Sequence, residues 1–75
     1  MIALLEESLL LFIEVKNRSR KDYGEPETFV SEAQQRRIKK VAEDYIYAIN
    51  WQKDIRFDIA CVDPKGEVEV FEDAF

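Results

Sequence analysis

Hydrophobic and polar residues alternate in short blocks at the start of the chain. Residues 2–5 are apolar, residues 6–8 are polar, and residues 9–15 are mainly apolar again. This pattern predicts two strands joined by a tight turn. Between Leu9 and Ile13 the second strand is apolar on both of its faces, which is typical of a central strand covered on both sides of the sheet.

A helical period follows in the middle of the chain. Ser31 and Gln34 have the spacing of a capping box, in which the side chains of both residues bind backbone N–H groups at the start of a helix. Apolar residues then recur every three or four positions, which predicts an amphipathic helix that ends near Asn50. These residues are Ile38, Val41, Ala42, Tyr45, Ile46 and Ile49. The opposite face of this helix is charged, and we expect it to be solvated.

Two more strands are predicted in the last third of the chain. Apolar residues alternate between Ile55 and Val62, residues 63–66 have the composition of a turn, and residues 68–71 are again mainly apolar. The element order is therefore β-β-α-β-β. A helical crossover joins the second and third strands, so these two strands should be parallel. We predict an α/β fold of the mixed α+β type, with one main helix on a four-stranded mixed sheet.

A single helix covers only one face of such a sheet. Because residues 9–15 are apolar on both faces, something else must cover the second face. We expect either a second copy of the chain or a further segment of polypeptide there. The sequence therefore predicts a homo-oligomer that forms through the uncovered sheet face.

Composition limits the class of protein. The chain has 75 residues, a net charge of −5 and one cysteine, Cys61, so it has the length of one small domain and cannot form an internal disulfide. The start of the chain is not typical of a secretion signal, and no apolar run has the length of a membrane span. These features favour a cytoplasmic protein without a membrane role.

The charge is distributed unevenly along the chain. Residues 16–40 contain eight basic and four acidic side chains, whereas residues 54–75 contain two basic and seven acidic ones. The net charge argues against a general polyanion binder, but the basic middle of the chain can form a local patch that faces phosphates. The alternative is an ordinary mixed surface.

Glu14 and Lys16 form the candidate chemical pair. They share one face of the second strand and lie at its carboxyl end, where sites gather in open α/β sheets. A carboxylate suits a hard metal ion, and an ammonium group two residues later stabilises phosphate charge. The spacing alone is unspecific, because Asp63 and Lys65 have it within a predicted turn. The spacing of Glu14 and Lys16 is therefore equally compatible with a strand that ends at the protein surface, where the two charged residues have no chemical role.

Four segments in order resemble one known family. They are IEVKNRS (13–19), VSEAQQRRIKKVAEDYI (30–46), RFDIACVD (56–63) and EDAF (72–75). Together they resemble the YraN-type family of small bacterial proteins, which look like endonucleases of the PD-(D/E)XK, or restriction-endonuclease-like, superfamily. The resemblance implies a restriction-endonuclease-like domain over residues 1–75 and Mg²⁺-dependent hydrolysis of phosphodiester bonds in nucleic acid, most simply DNA.

The resemblance also implies roles for individual residues. Glu14 and Lys16 would be catalytic, and Mg²⁺ would be held by Glu14 with the carbonyl of Val15. The implied nucleic-acid contacts are Arg18, Arg20, Lys21, Gln35, Arg36 and Arg37. For Gln34 and Gln35 the alternative is capping and solvation. Arg56 and Asp58 match the family's R-F-D element, but we interpret them as a structural ion pair, and Tyr45 and Trp51 as packing residues.

The family pattern contains one element that this sequence lacks. The family has an acidic residue on the strand before the one that carries Glu14, in a G-E-I-D-L-I-A-like segment, and a preceding helix would cover the second sheet face. This chain opens with Met1, Ile2 and Ala3, just after the expected position of that residue. One carboxylate gives Mg²⁺ few ligands, so we expect the nuclease activity to be impaired. Two alternatives remain: a nucleic-acid-binding module without catalysis, which would also use Lys40, and a small interaction domain that self-associates.

Overall fold

The predicted order of elements is present in the structure. A computed structural model describes residues 1–17 and 30–75 of the protein. Its elements are β1 (Ile2–Glu6), β2 (Leu9–Asn17), α1 (Glu32–Ile49), β3 (Asp54–Val62) and β4 (Val68–Phe71). The β-β-α-β-β arrangement and the mixed α+β class are therefore confirmed.

The four strands form one sheet in the order β1-β2-β3-β4. β1 runs antiparallel to β2, β2 runs parallel to β3, and β4 runs antiparallel to β3. The parallel pair follows from the helical crossover, since a short turn can join only antiparallel neighbours. β2 is thus a central strand, as its continuous apolar run predicts.

Both ends of α1 have the expected chemistry. The N–H of Gln34 donates to the hydroxyl of Ser31, and the N–H of Ser31 donates to the side-chain carbonyl of Gln34, both at 3.2 Å, so the capping box is confirmed. Asn50 ends the helix with φ 55°, a left-handed conformation that Asn adopts more readily than most residues. No helix within the described residues is long and apolar enough to cross a membrane.

The core lies between α1 and one face of the sheet. Phe12 stacks on Phe57 with ring centroids 5.4 Å apart, and Tyr45 meets Phe12 edge-on at 6.0 Å. Ala42 is buried against this group and Trp51 packs beside it, which confirms the packing role of Trp51, whereas Tyr45 contacts Phe12 but is 42% exposed. A second buried cluster contains Val30, Ile59 and Cys61. Ile38 packs against both clusters.

The buried stripe of α1 is narrower than the sequence predicts. Val41 is 55% exposed and Ile49, the last residue of the helix, is 45% exposed. Val41 is rotated about 60° from Ile38 around the helix axis, away from Ala42, so it turns from the sheet. One sheet face contacts a smaller arc of a helix than a surrounding core would.

The second face of the sheet is also apolar. Because Phe12 and Phe57 point towards α1, the residues that alternate with them point the opposite way. We call this side the open face. Its apolar residues are Ile2, Leu4, Leu9, Leu11, Ile13, Val15, Ala60, Val62, Val68 and Val70. No helix or strand of the described residues packs on the open face, as the single helix predicts.

Candidate nucleic-acid interface

Glu14 and Lys16 lie at the carboxyl end of the parallel strand pair. Glu14 is opposite Ile59 and Lys16 is opposite Cys61 in the β2–β3 register. Both side chains share the face of Phe12, the side on which α1 packs. Both are partly exposed, and the side chain of Glu14 is 22% exposed. The chain thus places both groups where water and a ligand can reach them.

The start of α1 lies at the same end of the sheet. Val30 is completely buried against Ile59 and Cys61, which are the β3 neighbours of Glu14 and Lys16. The helix begins two residues after Val30. The first turns of α1 therefore stand over the end of the sheet that carries the two charged residues.

The first two turns of α1 carry two exposed cations and one exposed acidic residue, Glu32. Arg36 and Arg37 are exposed on α1. In contrast, Gln35 donates its side-chain N–H to the carbonyl of Val30 at 3.1 Å, and Gln34 belongs to the capping box. Gln34 therefore caps the helix, as the alternative interpretation expects. The side chain of Gln35 holds the backbone just before the helix through its hydrogen bond to Val30. A role for Gln35 in binding stays a prediction.

Two further cations of α1 have partners within the chain. Lys40 pairs with Asp44 at 3.2 Å, and the ammonium of Lys39 lies 5.8 Å from the ring centroid of Phe75. Exposed pairs of this kind contribute little energy and exchange readily.

Of the remaining predicted site residues, three lie outside the described residues and one faces away from Glu14. Arg18, Arg20 and Lys21 fall outside the described residues. The side chain of Val15 points to the open face and is 45% exposed, so only its backbone carbonyl is relevant to a ligand beside Glu14.

The described residues do not form a fitting Mg²⁺ site. The terminal amine of Met1 lies 3.9 Å from a carboxylate oxygen of Glu14, and this is a cation beside the predicted metal ligand. Mg²⁺ requires several oxygen ligands in near-octahedral geometry. Within residues 1–17 and 30–75, no group of three or more Asp, Glu, His or Cys side chains is arranged to hold a metal ion. We therefore assign no catalytic step to a metal in this chain.

Arg56 and Asp58 form the structural ion pair that the sequence predicts. Two guanidinium N–H groups of Arg56 donate to the two carboxylate oxygens of Asp58, each at 2.9 Å. The hydrogen bond to Asp58 raises the pKa of Arg56 above its usual value, although burial acts in the opposite direction. Asp58 is only 2% exposed and lies near the start of β3's buried segment, away from the carboxyl end of the strand.

The sequence did not predict that the C-terminal tail contacts this ion pair. The N–H of Asp73 donates to Asp58 at 3.0 Å, and Glu72 lies 3.7 Å from Arg56. The segments RFD (56–58) and EDAF (72–75) contain the signal, since both belong to the family resemblance. However, a spacing of fifteen residues does not by itself indicate a contact.

The comparison with known proteins identifies the family. The profile of the Uncharacterised protein family UPF0102 matches residues 1–62, which include β1, β2, α1 and β3. This chain belongs to the UPF0102 family. The resemblance to YraN-type proteins is confirmed at this level, and the family description assigns no activity.

Individual relatives agree with this assignment. The chain is 43% identical over 58 residues to a UPF0102 protein of Cytophaga hutchinsonii, covering 77% of this chain and 51% of the relative. It is 51% identical over 65 residues to one of Dictyoglomus turgidum, covering 80% and 53%. A third, of Shewanella halifaxensis, is 38% identical over 74 residues, covering 99% and 65%. The chain thus spans between half and two thirds of the length of these curated relatives.

Proposed function

We propose that this chain binds nucleic acid at the carboxyl end of β2 and β3, as part of a nuclease-like domain that does not cleave by itself. One observation carries this proposal: Lys16 and the basic first turns of α1 stand at the same end of the sheet. Cations at that end match the sugar-phosphate backbone, which supplies most of the affinity in unspecific nucleic-acid binding.

Lys16, Arg36 and Arg37 have one shared role in this proposal, which is to contact phosphates. Arginine forks bind phosphate oxygens in pairs, whereas a lysine acts as a compact charge. The net charge of the chain is −5, so the remaining surface repels a polyanion. We therefore expect weak binding that is lost steeply as the salt concentration rises.

Glu14 has a different role, because a lone carboxylate repels phosphate. Ile2 pairs with Ile13, so residue 1 stands opposite Glu14, and a residue before it in a longer polypeptide would lie beside Val15. The additional acidic residue implied by the family resemblance would lie in this N-terminal extension of β1, although strand alternation turns a side chain opposite Val15 towards the open face. We propose that nuclease chemistry in the longer family members requires this second carboxylate, with Lys16 orienting the phosphate.

The proposal is tested by binding and cleavage assays on the 75-residue protein. Labelled linear and branched DNA duplexes are titrated at two salt concentrations, with and without Mg²⁺. We expect binding at low salt that weakens at high salt, no dependence on Mg²⁺ and no cleavage. Lys16→Ala should weaken binding, whereas the matched variant Lys53→Ala, before β3 at the opposite end of the sheet, should not.

Two results would contradict the proposal in different ways. The absence of binding at low salt removes the nucleic-acid function. Robust Mg²⁺-dependent cleavage that Lys16→Ala abolishes shows instead that the site of this chain is complete. Equal losses in Lys16→Ala and Lys53→Ala would show that binding is a general charge effect and has no defined position.

A further inference from the structure

We propose that a groove at the end of α1 docks a basic segment of a partner protein, with an arginine side chain held against Glu43 and the aromatic rings of the groove. The groove has a volume of about 770 Å³, within the range of sites that hold ligands. It is lined by Glu43, Asp44, Ile46, Tyr47, Asn50 and Trp51. The inference is independent of nucleic-acid binding, because the groove adjoins Asp54 at the start of β3, whereas Lys16 lies at the carboxyl end of the parallel strands.

Two aromatic side chains give the groove its apolar surface. Tyr47 is 90% exposed, so its ring contributes little to the internal packing. Trp51 packs on the core, and its indole N–H donates to the carbonyl of Asp54 at 2.9 Å, which holds the ring in place. Tyrosine and tryptophan are enriched at protein interfaces, because they supply a large contact area at a low cost in conformational entropy. The exposed ring of Tyr47 beside a fixed Trp51 is therefore typical of a surface that binds another protein.

The groove is negatively charged at one end. Residues 41–52 contain two acidic and no basic side chains, and both acids line the groove. Among residues 1–17 and 30–75, no Lys or Arg pairs with Glu43, and the exposed pair between Asp44 and Lys40 exchanges readily. The last turn of α1 contains no basic residue, so no side chain of that turn compensates the negative end of the helix dipole. The complementary ligand is therefore a cation.

The surroundings of the groove extend the same charge. Glu6 and Glu7 lie at the turn before β2, and Asp54 begins β3 opposite Leu9, so all three acids lie at the same end of the sheet as the groove. They are exposed and outnumber Lys53, the exposed cation beside Asp54. A surface of one sign attracts partners of the opposite sign and repels nucleic acid. The charge thus selects a basic polypeptide as the occupant.

The shape of the groove fits a short extended segment that contains arginine. A guanidinium group binds a carboxylate through paired N–H groups and also stacks on aromatic rings. Glu43 and Asn50 are two helical turns apart, about 10 Å, which an extended peptide covers with about three residues. Side chains two positions apart in an extended chain point the same way. We therefore expect an arginine at the acidic end and an apolar residue two positions away against Ile46 and Tyr47.

The fluorescence of Trp51 measures this binding directly, because it is the single tryptophan of the chain. The probe is the acetylated and amidated peptide Arg-Arg-Ala-Leu-Gly, and the control peptide has citrulline, which is neutral and of similar shape, in place of both arginines. We expect a saturable change in emission with a dissociation constant of about 100 µM, since ordering a flexible peptide in an open groove opposes binding. The citrulline peptide should bind at least about tenfold more weakly.

Two variants and a matched control locate the site on the 75-residue protein. Glu43→Gln removes the carboxylate and should weaken binding of the arginine peptide by about fivefold. Tyr47→Ala removes the exposed ring and should weaken it by about threefold. Glu32→Gln makes the same charge change in the first turn of the same helix and should alter binding by less than about twofold. All three residues are exposed, and the helical circular dichroism signal shows that each variant is folded.

Four results would overturn the proposal. The first is the absence of a saturable change in Trp51 emission up to millimolar peptide. The second is equal binding of the arginine and citrulline peptides, which would show that the groove does not recognise charge. Equal losses in Glu43→Gln and Glu32→Gln would show a general effect of the net charge of the protein. Binding of N-acetyl-arginine amide as tight as that of the peptide would show a site for a small cation and no docking of a polypeptide segment.

Discussion

The carboxylate of Asp58 accepts a hydrogen bond from the backbone N–H of Asp73, at 3.0 Å and across fifteen residues. Asp73 has φ 51°, and the turn at this residue directs the tail back along β3. The next N–H, of Ala74, then donates to the carbonyl of Phe57 at 2.8 Å. This attachment brings Phe75 against the core, with its ring stacked on that of Phe57 at 5.4 Å.

We predict that Asp58→Asn destabilises the protein substantially. The amide turns donor hydrogens towards Arg56 and loses an acceptor, so hydrogen bonds of a buried group are lost. The expected cost is about 2 kcal/mol, out of about 4–11 kcal/mol for a domain of this length. The thermal midpoint should fall by about 10 °C. Glu72→Gln is the control, because Glu72 is 69% exposed and should change stability by less than about 0.5 kcal/mol. An equal loss of stability in both variants would show that the buried Arg56–Asp58 pair contributes no more to stability than an exposed charge does.

We predict that Phe75 stabilises the fold through its ring. It is partly buried, stacks on Phe57 and packs, as Ile38 does, against both core clusters. Phe75→Ala should cost about 2 kcal/mol, less than the about 3–5 kcal/mol for a fully buried Phe. Urea unfolding followed by the helical signal measures this loss. Tyr47→Ala removes a ring that is 90% exposed and should be nearly neutral. An unchanged midpoint in Phe75→Ala would show that the tail does not stay on β3.

We predict that the first turns of α1 determine the salt dependence of DNA binding. If Arg36 and Arg37 each neutralise one phosphate, replacing both with Gln should lower the slope of log K against log salt by about 1.8. Fluorescence anisotropy with a labelled duplex at several salt concentrations measures this slope. Lys53→Gln, at the other end of the sheet, should leave it unchanged. A slope that is the same in the double variant and in the original protein would place the phosphate contacts elsewhere.

The secondary structure of this protein follows from local patterns. The capping residues Ser31 and Gln34, the apolar period after them and the continuous apolar run in β2 each have one favoured local interpretation. The parallel pairing of β2 and β3 follows from the order of elements. Val41 is the exception, because the sequence shows that it is apolar but not how wide an arc of the helix the sheet reaches.

The candidate site could be only partly predicted. The alternation of β2 indicates that Glu14 and Lys16 share a face, and the family resemblance gives them a possible role. The packing of Val30 against Ile59 and Cys61 was needed to bring the start of α1 to the same end of the sheet. The position of residue 1 beside Glu14 likewise depends on the β1–β2 register, which the turn geometry sets.

The sequence by itself determined the elements, their order and the presence of a second apolar sheet face, because hydrophobic periodicity and capping act over a few neighbouring residues. Only the tertiary structure decided that Asp58 accepts a hydrogen bond from Asp73, that Phe75 stacks on Phe57, and that residue 1 stands opposite Glu14. These relationships depend on strand register and on contacts between residues far apart in the chain, and no local pattern encodes them.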